Sequence, residues 1–150
     1  MPEDSLKSRL RSDMTLSMKS GDKARLLVIR LMLAAINQIE IDERIELDDA
    51  RVTSVLDKMT KQRRESIEHF SNAGRDDLVA IETAELKIIK AYLPEALADA
   101  EIAELVDQSI NSTGAGSIRD MGKVMGILKP QLLGRADMGK VSQLVKSKLS

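Results

Sequence analysis

DDARVTSVLDKMTKQRRESIEHFSNAGRDDLVAIETAELKIIKAYLP, residues Asp48–Pro94, is the stretch that decides the fold. Asp48 stands where a helix cap belongs, with Leu47 and Val52 spaced as a hydrophobic staple across it. Val52, Val55, Leu56, Met59, Ile67 and Phe70 then recur at helical spacing, and Gly74 supplies a stop. The spacing predicts one helix over Asp49–Asn72 and a second over Asp76–Leu93, the latter carrying Leu78, Ile81, Ile88, Ile89 and Tyr92 until Pro94 ends it. Upstream, Leu6, Leu10, Met14 and Met18 predict a helix over Ser5–Lys19, with Gly21 as its stop. Asp22 can cap a further helix over Lys23–Glu43, which is apolar on most sides and is expected to be central.

Beyond Pro94 the chain changes character. The first 94 residues hold 16 bases and 17 acids. Residues 95–116 contain five acids (Glu95, Asp99, Glu101, Glu104, Asp107) and no base. Ser117–Ser150 then holds seven bases against two acids, +5 in a protein of net charge -1. Helices are expected over Ala100–Ser112, Ile118–Leu132 and Met138–Leu149, with Ser117 and Asp120 spaced as an approximate capping box. STGAGS (Ser112–Ser117) reads as a flexible loop. The expected architecture is all-α, an N-terminal helical bundle over 1–94 followed by a small C-terminal three-helix subdomain over 95–150. Composition agrees. Phe70 and Tyr92 are the only aromatics, so packing rests on Leu, Ile, Val, Met and Ala. The absence of cysteine excludes disulfides and thiolate metal sites. The N-terminus, MPEDSLKSRLRSDM, has no apolar run resembling a signal peptide, and Leu31–Ile36 is far short of the ~20 residues that span a bilayer. The chain is expected to be a soluble, cytosolic protein.

The basic segment repeats a short phrase, MGKVMGIL and MGKVSQLV, with glycines at Gly122, Gly126 and Gly139. Each should cost about 1 kcal/mol relative to alanine inside a helix. On a helical wheel Ile118, Met121, Val124, Met125 and Leu128 gather on one side, while Arg119, Gly122, Lys123, Gly126 and Lys129 fall on the other. Bare glycine among cations would let a phosphodiester backbone approach closely. The same glycines would equally let a neighbouring helix pack tightly, with the cations merely solvated. Two aromatics cannot build a base-stacking platform, so nucleic-acid binding here would read shape and backbone.

Charge also interrupts the apolar stripes of the N-terminal helices. Glu82 and Glu85 lie on the apolar side of their helix, Arg63 lies between Met59, Ile67 and Phe70, and Arg30 breaks its own apolar run. A withdrawn charge needs a partner, so Arg63 or Arg30 is expected to meet Glu85 or Glu82 as a structural ion pair. No catalytic constellation is visible. His69 is the only histidine and cannot build a zinc site without cysteine; no nucleotide loop or nucleophile elbow is present. No cofactor, metal or membrane is expected, and no turnover by the chain alone.

Lys61–Pro94 (KQRRESIEHFSNAGRDDLVAIETAELKIIKAYLP), Asp120–Leu128 (DMGKVMGIL) and Gly134–Leu149 (GRADMGKVSQLVKSKL) together resemble the GatB/YqeY family, across essentially the whole chain. That family is the stand-alone version of the tail domain of the B subunit of tRNA-dependent amidotransferases. One departure is Met138, where the family often continues from Ala-Asp directly to glycine. The resemblance implies a helical bundle with a C-terminal helical subdomain, tRNA as partner, and a link to amidotransferase or aminoacyl-tRNA pathway proteins. It also carries a carbon–nitrogen ligase activity with glutamine as amide donor, which these residues could serve only with partner subunits. The leading expectation is a non-catalytic, tRNA-binding, amidotransferase-associated module. Its RNA-binding residues would be Arg119, Gly122, Lys123, Gly126, Lys129, Arg135 and Lys140. A protein-interaction adaptor is the alternative from another class.

Overall fold

The computed structural model describes residues 5–150, so the first four residues of the expected bundle lie outside the described region. The fold is all-α. Its elements are α1 (Leu6–Ser20), α2 (Lys23–Glu43), α3 (Asp49–Asn72), α4 (Asp76–Lys90), α5 (Asp99–Thr113), α6 (Met121–Leu132) and α7 (Met138–Leu149). A single 3-10 turn, Ile118–Asp120, precedes α6, and no strand occurs among the described residues. The chain divides into two compact units, Met1–Leu93 and Pro94–Ser150.

Local chemistry explains most helix ends in the first unit. The Asp22 and Asp48 carboxylates accept from the N–H groups of Arg25 and Arg51 at 3.1 and 2.9 Å, capping α2 and α3. Gly74 takes φ +72°, a left-handed conformation that closes α3 without steric cost. α4 is three residues shorter than expected. Tyr92 and Leu93 N–H bond instead to the Ile89 and Lys90 carbonyls, a tightened last turn. Pro94 explains it, because a proline crowds the residue before it out of helical geometry.

Two sequence expectations are corrected by packing. Met18 is 55% exposed, whereas Ser17 is 4% exposed and takes the inward position. A strict four-residue spacing drifts about 40° per step around a 3.6-residue helix, so the stripe that begins at Leu6 has rotated outward by Met18. Nor is α2 enclosed. Val28, Ile29, Met32 and Ile36 are buried, but Leu27, Leu31 and Ile41 remain exposed. Its neighbours α1, α3 and α4 cover one face only.

Polar contacts that the sequence reading missed hold this unit together. Lys7 Nζ lies 2.6 Å from Glu40 Oε1, with side chains only 8% and 13% exposed. Glu40 Oε2 accepts from the Leu47 N–H at 2.9 Å. The Lys7 ammonium, and then the Leu47 N–H, hold the Glu40 carboxyl below its ordinary range. Tyr92 donates its hydroxyl hydrogen to Asp13, and the Arg9 guanidinium sits 5.2 Å from its ring centroid. Burial, and then the Asp13 carboxylate, push the Tyr92 hydroxyl up to about 12.

Glu40→Gln keeps the shape but leaves Lys7 withdrawn from water without its counter-charge. It should lower unfolding stability at neutral pH by about 3 kcal/mol. Because the folded carboxyl titrates below the ordinary value of 4.5, its contribution is complete above that pH and fades as pH falls through the lowered value. Thermal unfolding from pH 7 to pH 3 should therefore show the gap between parent and variant narrowing in acid. A gap independent of pH would contradict the ion pair.

Candidate nucleic-acid interface

The second unit packs α5, α6 and α7 around Val106, Val124, Leu128, Leu132, Val141 and Val145. Glu101 supports the start of α5 by accepting from the Ala98 N–H at 3.4 Å. The start of α6 differs from the expectation. Ser117 is extended and makes no side-chain cap, and α6 begins only at Met121, with Asp120 as its N-cap residue. The proposed Ser117–Asp120 capping box therefore does not form; the Asp120 carboxylate accepts from the Gly116 N–H at 3.0 Å. The 3-10 turn also breaks the phase of the wheel, since it advances three residues per turn. Ile118, expected inward, is 43% exposed.

From Met121 onward the wheel holds. Val124 and Leu128 are fully buried, while Gly122, Lys123, Gly126 and Lys129 are exposed, as is Arg119 on the preceding turn. Beyond the neighbouring backbone of its own helix, a Cβ placed on Gly122 or Gly126 would meet no atom within 4 Å. Close packing within this chain is thus not what these glycines permit. Pro130 lies four residues beyond Gly126 and has no N–H. The Gly126 carbonyl therefore loses the donor that an α-helix would otherwise supply, on the same exposed face.

The repeated phrase has a shared structural place. Asp120-Met-Gly-Lys-Val124 and Asp137-Met-Gly-Lys-Val141 each open a helix, with aspartate at the N-cap, lysine exposed and valine buried. In the second, the Asp137 carboxylate accepts from the Gly139 N–H at 2.9 Å. Lys140 is exposed here, in the first turn of α7.

The remaining cations are unequal. Arg135 is half-buried and donates from Nε to the Glu95 carbonyl at 3.2 Å, while its own carbonyl accepts from the Leu97 N–H at 2.9 Å. It ties down the chain leading into α5, a structural duty that the sequence reading missed. Lys148 pairs with Asp107 at 2.6 Å, so part of the basic segment neutralises the acidic one. Arg119, Lys123, Lys129 and Lys140 have no ion pair among the described residues.

In the first unit, Arg63 Nη1 lies 3.2 Å from Glu82 Oε2 and 2.9 Å from Glu85 Oε2, all three side chains about one-fifth exposed. Arg30 is exposed and takes no part in this cluster. The described residues contain no group of three or more His, Asp or Glu that could hold a metal ion, and no helix long and apolar enough to cross a membrane.

Residues 7–149 match the family model described as Yqey-like protein. The chain is 34% identical over 137 residues to the altered inheritance of mitochondria protein 41, mitochondrial, of Pyrenophora tritici-repentis, covering 90% of this chain and 75% of that protein. It is 39% identical over 104 residues to the protein of the same name from Eremothecium gossypii, covering 67% of this chain and 56% of the relative. The Saccharomyces cerevisiae protein of that name is 34% identical over 104 residues, with 69% and 55% covered. Against these last two the chain spans little more than half of the relative's length. The cytosolic location expected from the sequence does not stand, because the relatives are named as mitochondrial proteins. Lack of cysteine removes disulfides but does not distinguish one compartment from another.

Gly122→Ala and Gly126→Ala should each raise stability by about 0.5–1 kcal/mol in chemical denaturation, because nothing opposes the added methyl and the helix gains propensity. A loss of stability would mean that the two backbones need glycine for the fold itself.

Proposed function

We propose that this chain, which belongs to the YqeY-like protein family, is a non-catalytic helical module that contacts folded RNA, tRNA in the first instance, through the outer face of α6 and the start of α7. The observation that carries the reading is the bare glycine face. Gly122 and Gly126 are exposed and uncrowded, at a cost in helix stability, with Arg119, Lys123 and Lys129 beside them and without ion pairs. A phosphodiester backbone can approach such a surface more closely than one covered by side chains, and the cations neutralise it. Pro130 has no N–H to give the Gly126 carbonyl, which supports a role for that carbonyl as an acceptor from the ligand. A ribose 2′-hydroxyl can donate one and a deoxyribose cannot, which favours RNA over DNA. Association with amidotransferase or aminoacyl-tRNA pathway proteins completes the proposal and follows from the family resemblance.

Titration of total tRNA across salt concentrations tests it. Four phosphate contacts, from Arg119, Lys123, Lys129 and Lys140, should give a slope of log affinity against log salt of about -3 to -4. Lys123→Ala with Lys140→Ala should flatten the slope by about two units and leave the melting temperature unchanged. Gly126→Leu should weaken binding by bulk, with no charge removed. Equal affinity and slope for parent and double variant would show that the cations are only solvated.

A further inference from the structure

α2 carries a second apolar face that the bundle does not use. Opposite the buried Ile29, Met32 and Ile36 lie Leu27, Leu31, Ala34, Gln38 and Ile41, all exposed. Leu27 is 55%, Leu31 41% and Ile41 70% exposed. Single exposed leucines are ordinary. These positions instead step by four, three, four and three residues, the spacing of a coiled-coil seam. Ala34 at its centre allows a facing helix to come close. Along one flank, Lys23 and Arg30 fall on a seven-residue interval that Asn37 continues, and Arg44 follows at the left-handed C-cap of α2; all are exposed, and the three cations have no ion pair among the described residues. Beyond the other flank a cleft of about 300 Å³ runs between α2 and α3, floored by Ile39, Val55 and Met59 and bordered by Lys58.

We infer that this face docks an amphipathic helix of a partner protein, one with an apolar heptad seam and acidic residues beside it. Charge decides the occupant. A second copy placed antiparallel would set the Lys23–Arg30–Arg44 row against itself. A parallel copy would set that row against Val28, Ala35 and Asp42, with a single carboxylate already accepting from Gln38 Nε2 at 3.0 Å. Glutamates flanking a partner's seam meet the basic row directly, while its leucines cover Leu27, Leu31 and Ile41. Rim charges of this kind set partner choice and orientation.

A synthetic three-heptad peptide with Leu and Ile in its seam and Glu on both flanks is the probe, and the same peptide with Lys flanks is its control. Fluorescence anisotropy with the whole protein should show the acidic peptide binding about tenfold or more tightly than the basic one. Leu31→Asp with Ile41→Asp should weaken the acidic peptide by about tenfold or more, while the protein stays folded with a cooperative melt, because neither side chain belongs to the buried core. Lys23→Glu with Arg30→Glu should reverse the preference between peptides, and Lys123→Ala with Lys140→Ala should leave peptide binding as in the parent. Equal binding of the two peptides, or indifference to the aspartate pair, overturns the inference. So does a dimer of the protein alone, by sedimentation, that the aspartate pair dissolves, since a second copy would then own the face.

Discussion

Glu40 gives each of its carboxylate oxygens to a different piece of chain: Oε1 holds the Lys7 ammonium, and Oε2 holds the Leu47 N–H. Both charged side chains are nearly withdrawn from water, so neither can lose the other cheaply. The docking of α1 on α2 and the reversal from α2 into α3 are therefore coupled. Arg44 turns through a left-handed conformation at φ 55°, the chain reaches Leu47 at the edge of the core, and Asp48 caps α3. The Asp49 carboxylate then accepts from the Leu6 N–H at 3.0 Å, closing the corner back onto the start of α1. With so few aromatics, the core beyond it is filled by aliphatic side chains, Met32 and Tyr92. A unit built this way draws its geometry from a few polar anchors as much as from shape.

The C-terminal unit spends its charge differently. Its acids and bases are segregated in sequence but partly meet in the fold, through Lys148 and Asp107. Arg135 is drawn inward to hold a backbone carbonyl. What is left over is a row of cations bordering two glycines that nothing in the chain crowds. Glycine in an exposed helix weakens it, and here no steric need within the fold offsets that loss. This combination of unspent charge and bare backbone is what supports the RNA-contact reading over simple solvation.

α2 and α6 thus present chemically opposite surfaces. One is an apolar seam edged by cations, the face proposed for a partner helix; the other is bare backbone edged by cations, the face proposed for phosphate. Neither surface contains a nucleophile, a base poised for proton transfer, or carboxylates clustered for a metal among the described residues.

Much of this was legible in the sequence because it depends on neighbours within one turn. α2 and α3 begin and end where Asp22, Asp48 and Gly74 say they should, since caps and left-handed stops act locally. The inward face of α6 from Met121 onward followed from periodicity alone. Other features required the fold. The Ser117 cap failed because the 3-10 turn moved the helix start to Met121. Lys7 and Glu40 are 33 residues apart, and no spacing rule joins them. Arg63 was placed beside Glu82 and Glu85 by the packing of α3 on α4, while Arg30, equally set in an apolar run, was left in water. Nor could periodicity say which apolar face of α2 would be covered. The sequence by itself determined the helices and their faces, through forces that act over a turn. The tertiary structure decided which charges became partners and which faces stayed open, because burial depends on residues far away in the chain.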